Sequence, residues 1–255
     1  MGMEMPDVPA GSGRHPIRLV VISANDLAAS AAFYSRVFGW QTQSLTSELT
    51  AVVTPGGPSV TLRANTPEGF PGVVPFIGVP EVEAALQQVE AAGASTERAP
   101  WSIPTVGTLA RFRDPSGTIY GLTSAMSSGA MSRIPAPLGA NPRPPAGSLC
   151  SLEMHATDGV AAGRFFRDVF GWGASETLPG YMAFDPGAGI GGVFQTHTSS
   201  LPAVAYIYAG SVGEKIEEIE ASGGKRLGDP MTVPEVACFG YFTDPSGTSM
   251  GLIGS

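Results

Sequence analysis

One stretch of this chain is written twice. Residues 111–122 read RFRDPSGTIYGL, and residues 241–252 read YFTDPSGTSMGL. Upstream of each lies a second shared string, FYSRVFGW at 33–40 and FFRDVFGW at 165–172. Two landmarks repeated in the same order identify a duplicated unit. The copies are offset by 132 residues at the first landmark and by 130 at the second, a net gap of two. Whatever one copy folds into, the other must be able to fold into as well.

Within copy one, IRLVVIS (17–23) is rich in β-branched residues and reads as a buried strand. Asn25 or Asp26 caps the helix that follows. Its apolar positions Leu27, Tyr34, Val37 and Phe38 recur at helical spacing, and Gly39 ends it. Short strands fit near 41–44, at 49–55 and at 58–64, with Gly56-Gly57 as a hairpin turn. The pattern then restarts with a strand at 73–79 and a helix over roughly 81–92. Strands near 96–99, at 108–114 and at 118–124 follow, and Asp114-Pro115-Ser116-Gly117 turns between the last two. The unit is strand–helix–three strands, stated twice per copy. Copy two repeats it from SLCSLEMHA (148–156) to TSMGLIG (248–254). Residues 125–147 are rich in Pro, Gly, Ala and Ser, carry neither period, and read as a linker. The expected organisation is a flexible arm (1–14), domain one (15–124), the linker (125–147) and domain two (148–255).

Composition narrows the partners. A net charge of −8 argues against nucleic acid, whose phosphates need a basic face. No apolar run approaches the ~18 residues of a membrane span. The opening MGMEMPDVPAGSGRHP lacks an apolar signal segment and reads as a mobile arm, so the chain is expected in the cytoplasm. Two cysteines, Cys150 and Cys238, make no disulfide framework and read as reduced packing residues. The acidic run on the helix at 211–222 reads as a solvated face.

The order of strand, Asp-initiated helix ending in FGW, strands, helix, strand, DPSG turn and strand resembles the vicinal oxygen chelate superfamily. That superfamily includes glyoxalase I, extradiol dioxygenases and bleomycin-resistance proteins. The resemblance covers nearly all of 15–124 and 148–254. The DPSGTIYGL turn and the segments APWSIPTVG and DPMTVPEVA are similar to tandem glyoxalase-like proteins of actinobacteria, often labelled hydroxylase-like. The implied fold class is α+β, with two tandem glyoxalase-like domains. Each would be a pair of βαβββ modules forming an incomplete barrel around a small-molecule cavity. Metal-dependent relatives carry ligands at four inward strand positions. Alignment puts Leu19, Thr61, Val74 and Gly121 there in copy one, and Ser151, a residue around Gly191–Gly192, Val204 and Gly251 in copy two. Leu, Val and Gly offer no donor to a divalent cation. The expectation is no metal and no other cofactor.

Strand side chains alternate, so one inward position fixes its neighbours. Ser151 inward brings Glu153 and His155, roughly 6.6 Å apart at two rises of about 3.3 Å. Val204 inward brings Tyr206 and Tyr208, and Ser249 faces the same space as Gly251. Copy one supplies Thr61, Arg63 and Phe76, with Trp101 as a pocket lid, in a mainly apolar cavity. Glu153 and His155 are read as a general acid–base pair, because an imidazole titrates near neutral pH and burial raises a carboxylate toward it. Tyr206 or Tyr208 would donate to a substrate oxygen. The competing reading is that the pair satisfies itself. His15 and His197 read as solvated, and Trp40 and Trp172 as core. No nucleophile elbow or phosphate-cradling loop is present.

The leading function is a metal-independent enzyme, run by acid–base chemistry in a cavity. It would act on a hydrophobic, oxygenated, aromatic or polyketide-like molecule of natural-product metabolism, in a hydroxylase-, cyclase- or isomerase-type role. The alternatives are a non-catalytic protein that sequesters a drug-like compound, and a lyase or dioxygenase with a displaced metal site. The expected partner is a hydrophobic small molecule, with no nucleic acid and no membrane, in a monomer or homodimer.

Overall fold

The computed structural model describes residues 11–64, 72–103, 107–124, 143–197, 203–234 and 236–255. Copy one opens with β1 (Ile17–Ala24), α1 (Leu27–Phe38), β2 (Gln41–Ser44), β3 (Leu49–Val53) and β4 (Ser59–Ala64). It restarts with β5 (Val73–Gly78), α2 (Val82–Ala91), β6 (Ser95–Ile103), β7 (Gly107–Arg113) and β8 (Ile119–Thr123). Copy two gives β9 (Leu149–Ala156), α3 (Gly159–Phe170), β10 (Gly173–Leu178), β11 (Tyr181–Asp185) and β12 (Gly192–Thr196). Its second module is β13 (Ala203–Gly210), α4 (Val212–Ala221), β14 (Lys225–Arg226), β15 (Met231–Val233), β16 (Ala237–Thr243) and β17 (Ser249–Gly254).

The repeated strings fold the same way for the same reasons. Asp26 and Asp158 each accept a hydrogen bond at 2.9 Å from the backbone three residues on, at Ala29 and Ala161. Gly39 and Gly171 end their helices at φ 69° and 67°, where a side chain would be strained. In the DPSG turns, Asp114 Oδ1 takes the amides of Ser116 and Thr118, and Asp244 Oδ1 those of Ser246 and Thr248, all at 2.9 Å.

Each copy is one open, mixed sheet of two modules joined through their first strands. Copy one runs β2-β3-β4-β1-β5-β8-β7-β6, and copy two β10-β11-β12-β9-β13-β17-β16-β14, with β15 also on β16. β1 and β9 each pair parallel to the last strand of their own module and antiparallel to the first strand of the next. The last module departs from the expected three strands. Gly228, at φ 82°, and Pro230 interrupt the segment beside β16 and split it into the short β14 and β15. The alternation of β9 divides its side chains: Cys150, Leu152 and Met154 join the main core, leaving Ser151, Glu153 and His155 on the concave face. Burial pushes the Cys150 thiol up to about 12, which keeps it an inert packing group.

The two copies dock by exchanging equivalent contacts. Trp40 Nε1 donates to Gly147 O, and Trp172 Nε1 to His15 O, both at 2.7 Å. Thr118 Oγ1 donates to His155 O at 2.8 Å, and Thr248 Oγ1 to Ser23 O at 2.7 Å. Swapping the copies converts each contact into its partner, the signature of a two-fold interface. Phe33 and Phe38 of α1 pack on Phe242, while Phe165 and Phe170 of α3 pack on Phe112. One hydrophobic cluster therefore runs through both copies. Ser12 N donates to Gly171 O and Gly13 N to Pro186 O, both at 2.8 Å. Residues 11–14, expected as the end of a mobile arm, are thus laid against copy two. Residues 1–10 and the linker residues 125–142 lie outside the described residues. Among the described residues, no helix is long and apolar enough to cross a membrane.

Candidate functional site

The concave face of copy two carries a connected set of polar groups. β9 presents Ser151, Glu153 and His155, and the register sets Val193 and Gln195 of β12 beside the last two. On the other side, β13 places Tyr206 beside Ser151, and β17 places Gly251 beside Tyr206. Tyr241 of β16 pairs with Gly251 and so joins the same face. The hydrogen bonds follow this layout. His155 Nε2 lies 2.7 Å from Glu153 Oε1, and the Tyr206 hydroxyl donates to Glu153 Oε2 at 2.6 Å. The Tyr206 and Tyr241 hydroxyls are 2.6 Å apart. Tyr206 gives its proton to Glu153, so Tyr241 donates in turn to Tyr206. Farther along, Gln195 Nε2 donates to the Tyr181 hydroxyl at 2.6 Å.

The electrostatics of Glu153 are a contest. Burial raises its carboxyl, while hydrogen bonds from His155 and Tyr206 and the nearby imidazoles of His155 and His197 lower it, and the lowering prevails. Glu153 is therefore an ionised carboxylate with side-chain exposure of only 14%. The same carboxylate, after burial itself, pushes the Tyr206 hydroxyl up, and burial followed by Glu153 does so for Tyr241. Both phenols stay protonated donors. The arrangement can hold a proton on an imidazole, because the charge produced there has a fixed counter-charge beside it.

The residues expected at the site divide between the faces. Ser151, Glu153, His155, Tyr206, Tyr208, Ser249 and Gly251 share the concave side of copy two by strand alternation. The Tyr206 proton is committed to Glu153 rather than offered to a substrate, and Tyr208 lies beside Ser148, at the far end of β9 from His155. Thr61, Arg63 and Phe76 lie on the concave side of copy one. Phe76 sits with Leu19, Val21, Val74, Leu109 and Ile119 in a separate apolar cluster, against which Trp101 packs. Arg98 stacks 3.9 Å over the Trp101 ring. Copy one also places Arg111, in the position equivalent to Tyr241, in an ion pair with Glu97 at 2.6 Å.

Two groups of copy two were missed in the sequence. Tyr241 was legible, since counting back from the DPSG turn pairs it with Gly251. His197, read as a solvated strand end, is exposed, yet its ring lies 5.1 Å from that of His155. The pairing of Gln195 with His155 puts His197, two residues on, on the same face, and that register between strands is not written in the sequence.

The donor set at the positions implied by the resemblance does not fit a divalent cation. Thr61 pairs with Val21 and Val193 with Glu153, so the fourth-strand position in copy two is Val193, not Gly191 or Gly192. Gly192 instead lets β12 approach the Leu152 carbonyl of β9, where a Cβ would collide. At the closing strands, a Cβ on Gly121 or Gly251 would run into the ring of Phe76 or Tyr206. The aromatic ring from the fifth strand fills the space that a longer side chain from the eighth would need. Among the described residues, no three His, Cys, Asp or Glu side chains form a metal-holding group.

A family model described as the Glyoxalase/Bleomycin resistance protein/Dioxygenase superfamily matches residues 17–119. The chain is 23% identical over 256 residues to a candidate glyoxylase, CFP32, of Mycobacterium tuberculosis, covering 92% of each protein. It is 30% identical over 121 residues to a glyoxylase-like domain-containing protein of Didymella fabae, covering 42% of this chain and 92% of that one. Among solved structures, the Mn(II)-bound glyoxalase from Novosphingobium aromaticivorans aligns with TM-score 0.64 at 18% identity, over 93% of this chain and 81% of that one. The 2,3-dioxygenase LapB from Pseudomonas sp. KL28 aligns with TM-score 0.67 at 16% identity, over 96% and 93%. At these identities the two structures speak for the fold.

Proposed function

Since the chain belongs to the glyoxalase/bleomycin resistance protein/dioxygenase superfamily, we propose that it is a small-molecule enzyme whose chemistry is proton transfer on the concave face of copy two. The substrate is a hydrophobic, oxygenated molecule, aromatic or polyketide-like, and the reaction is of the isomerase or cyclase type. The observation that carries this reading is the Glu153 carboxylate held between His155 at 2.7 Å and Tyr206 at 2.6 Å. The imidazole of His155 takes a proton from a substrate hydroxyl or from a carbon next to a carbonyl. Glu153 stabilises the imidazolium so formed, and the Tyr206 hydroxyl helps keep Glu153 ionised. Lack of cation donors at the family positions supports a metal-independent route. The two free cysteines support a reducing, cytosolic setting.

Deuterium exchange tests this. Wild-type protein in D2O with a panel of neutral aromatic ketones such as 1-tetralone is expected to speed exchange at the carbon beside the carbonyl, followed by proton NMR. Glu153→Gln should slow that exchange by about 10²–10⁴-fold, the usual contribution of positioned acid–base groups, with ketone affinity unchanged by equilibrium dialysis. Exchange at the wild-type rate in the variant would remove Glu153 from the mechanism. A second reading, a protein that sequesters such a compound, is favoured by both Glu153 oxygens already having partners. It predicts binding of the panel with no exchange above buffer.

A further inference from the structure

Taking a proton from a carbon beside a carbonyl pushes charge onto the carbonyl oxygen, and a fixed donor aimed at that oxygen stabilises it. Apart from Tyr208, far along β9, three phenols stand on the concave face of copy two: Tyr181, Tyr206 and Tyr241. Two of them have placed their protons. Tyr206 donates to Glu153, and Tyr241 donates to Tyr206, each at 2.6 Å. Tyr181 differs. Its hydroxyl oxygen accepts from Gln195 Nε2 at 2.6 Å, which leaves its own O–H to give, and no acceptor among the described residues takes it. A hydroxyl that accepts one hydrogen bond is polarised toward donating another.

The register sets this phenol beside the base. Tyr181 pairs with Gln195, and Gln195 with His155, in one row across β11, β12 and β9. Their alternates Met182, Phe194 and Met154 are buried in the core, so the row of three faces the concave side. The Tyr181 hydroxyl thus meets the side chain directly next to His155, with neighbouring strands about 4.8 Å apart. Four strands separate β11 from β16, yet Tyr181 still acts on Tyr241: burial and Glu153 raise that phenol first, and Tyr181 adds to the rise.

We propose that Tyr181, its phenol held by Gln195, donates the hydrogen bond that receives the substrate's carbonyl oxygen; the proposal rests on the acid–base reading of the same face. In the step, a C–H bond beside the carbonyl breaks and its proton goes to the His155 imidazole. The electron pair forms the carbon–carbon double bond of an enolate, and the carbonyl π pair moves onto oxygen, where the Tyr181 O–H meets it. Return of a proton to carbon reverses the step, so nothing is oxidised or reduced. The substrate class narrows to ketones and related carbonyls, whose oxygen can only accept.

Infrared difference spectroscopy of bound 1-tetralone reads this contact directly. In the wild-type protein the C=O band is expected at lower wavenumber than in hexane, and Tyr181→Phe should move it back toward the hexane position. The same wavenumber in both proteins would overturn the proposal. Ketone exchange in D2O gives the second reading: Tyr181→Phe should slow it by about 10²–10³-fold, the cost of removing one donor to a developing oxyanion. Glu153→Gln separates this from failure of the underlying reading, because it leaves the Tyr181 phenol in place. That variant should keep the band shift while exchange falls. If it exchanges at the full rate while Tyr181→Phe loses the band shift, the base is wrong and the donor stands. If it loses exchange while Tyr181→Phe keeps both rate and band, the donor alone is wrong. A wild-type protein that binds none of the ketone panel would overturn both.

Discussion

At the scale of single residues, the site depends on how one carboxylate is kept ionised out of water. Burial raises Glu153, and the donors at His155 and Tyr206 more than offset it. A carboxyl whose folded pKa is depressed stabilises the fold above the ordinary carboxylate range and loses that stabilisation as pH falls through the lowered value. Tyr206→Phe removes one of the lowering bonds, which moves the folded pKa up and shrinks this pH-dependent part. The variant is expected to be about 1.5–3 kcal/mol less stable at pH 7, the range for a hydrogen bond to a charged group. The difference from wild type should narrow toward pH 3, read by urea unfolding across pH. A difference of constant size would mean that Tyr206 does not act through an ionised Glu153. The period of two in a strand made Glu153, His155 and Tyr206 legible together. It could not reveal that Tyr206 spends its proton on Glu153, because that depends on distances between strands far apart in sequence.

At the scale of elements, the repeated DPSG turn has two jobs. Its aspartate organises the turn locally, and the threonine after it reaches across to the first strand of the other copy. In copy one that reach ends on the His155 carbonyl, and in copy two on the Ser23 carbonyl. Thr118→Val and Thr248→Val therefore remove equivalent bonds with unequal consequences. Each is expected to cost about 1 kcal/mol of stability, the net worth of one such bond, measured by thermal or urea unfolding. Thr118→Val alone should also slow ketone exchange, since it alone loosens the strand carrying Glu153 and His155. Equal effects on exchange would sink the idea that this turn positions the site. The turn was plain in the sequence, because Asp-Pro-Ser-Gly has local chemistry. Its partner was not, because nothing local says which carbonyl a threonine will meet.

At the scale of the whole molecule, the duplication set the architecture, and divergence then separated the two concave faces. The repeated landmarks made two strand–helix–three-strand modules per copy legible. The two-fold docking, with Trp40 and Trp172 each capped by a carbonyl ahead of the other copy's first strand, was not. Such contacts appear only once both sheets exist. Copy one fills its face with apolar side chains around Phe76, whereas copy two places a carboxylate, two imidazoles and two phenols in the corresponding region. In both, an aromatic ring lies over the closing-strand glycine. The central claim is that the open sheet of copy two works through a carboxylate–imidazole pair. The most direct measurement is ketone exchange by wild-type protein after exhaustive EDTA treatment, then titrated with Mn(II). The account predicts an unchanged rate through both steps; loss on EDTA treatment with recovery at stoichiometric Mn(II) would contradict it.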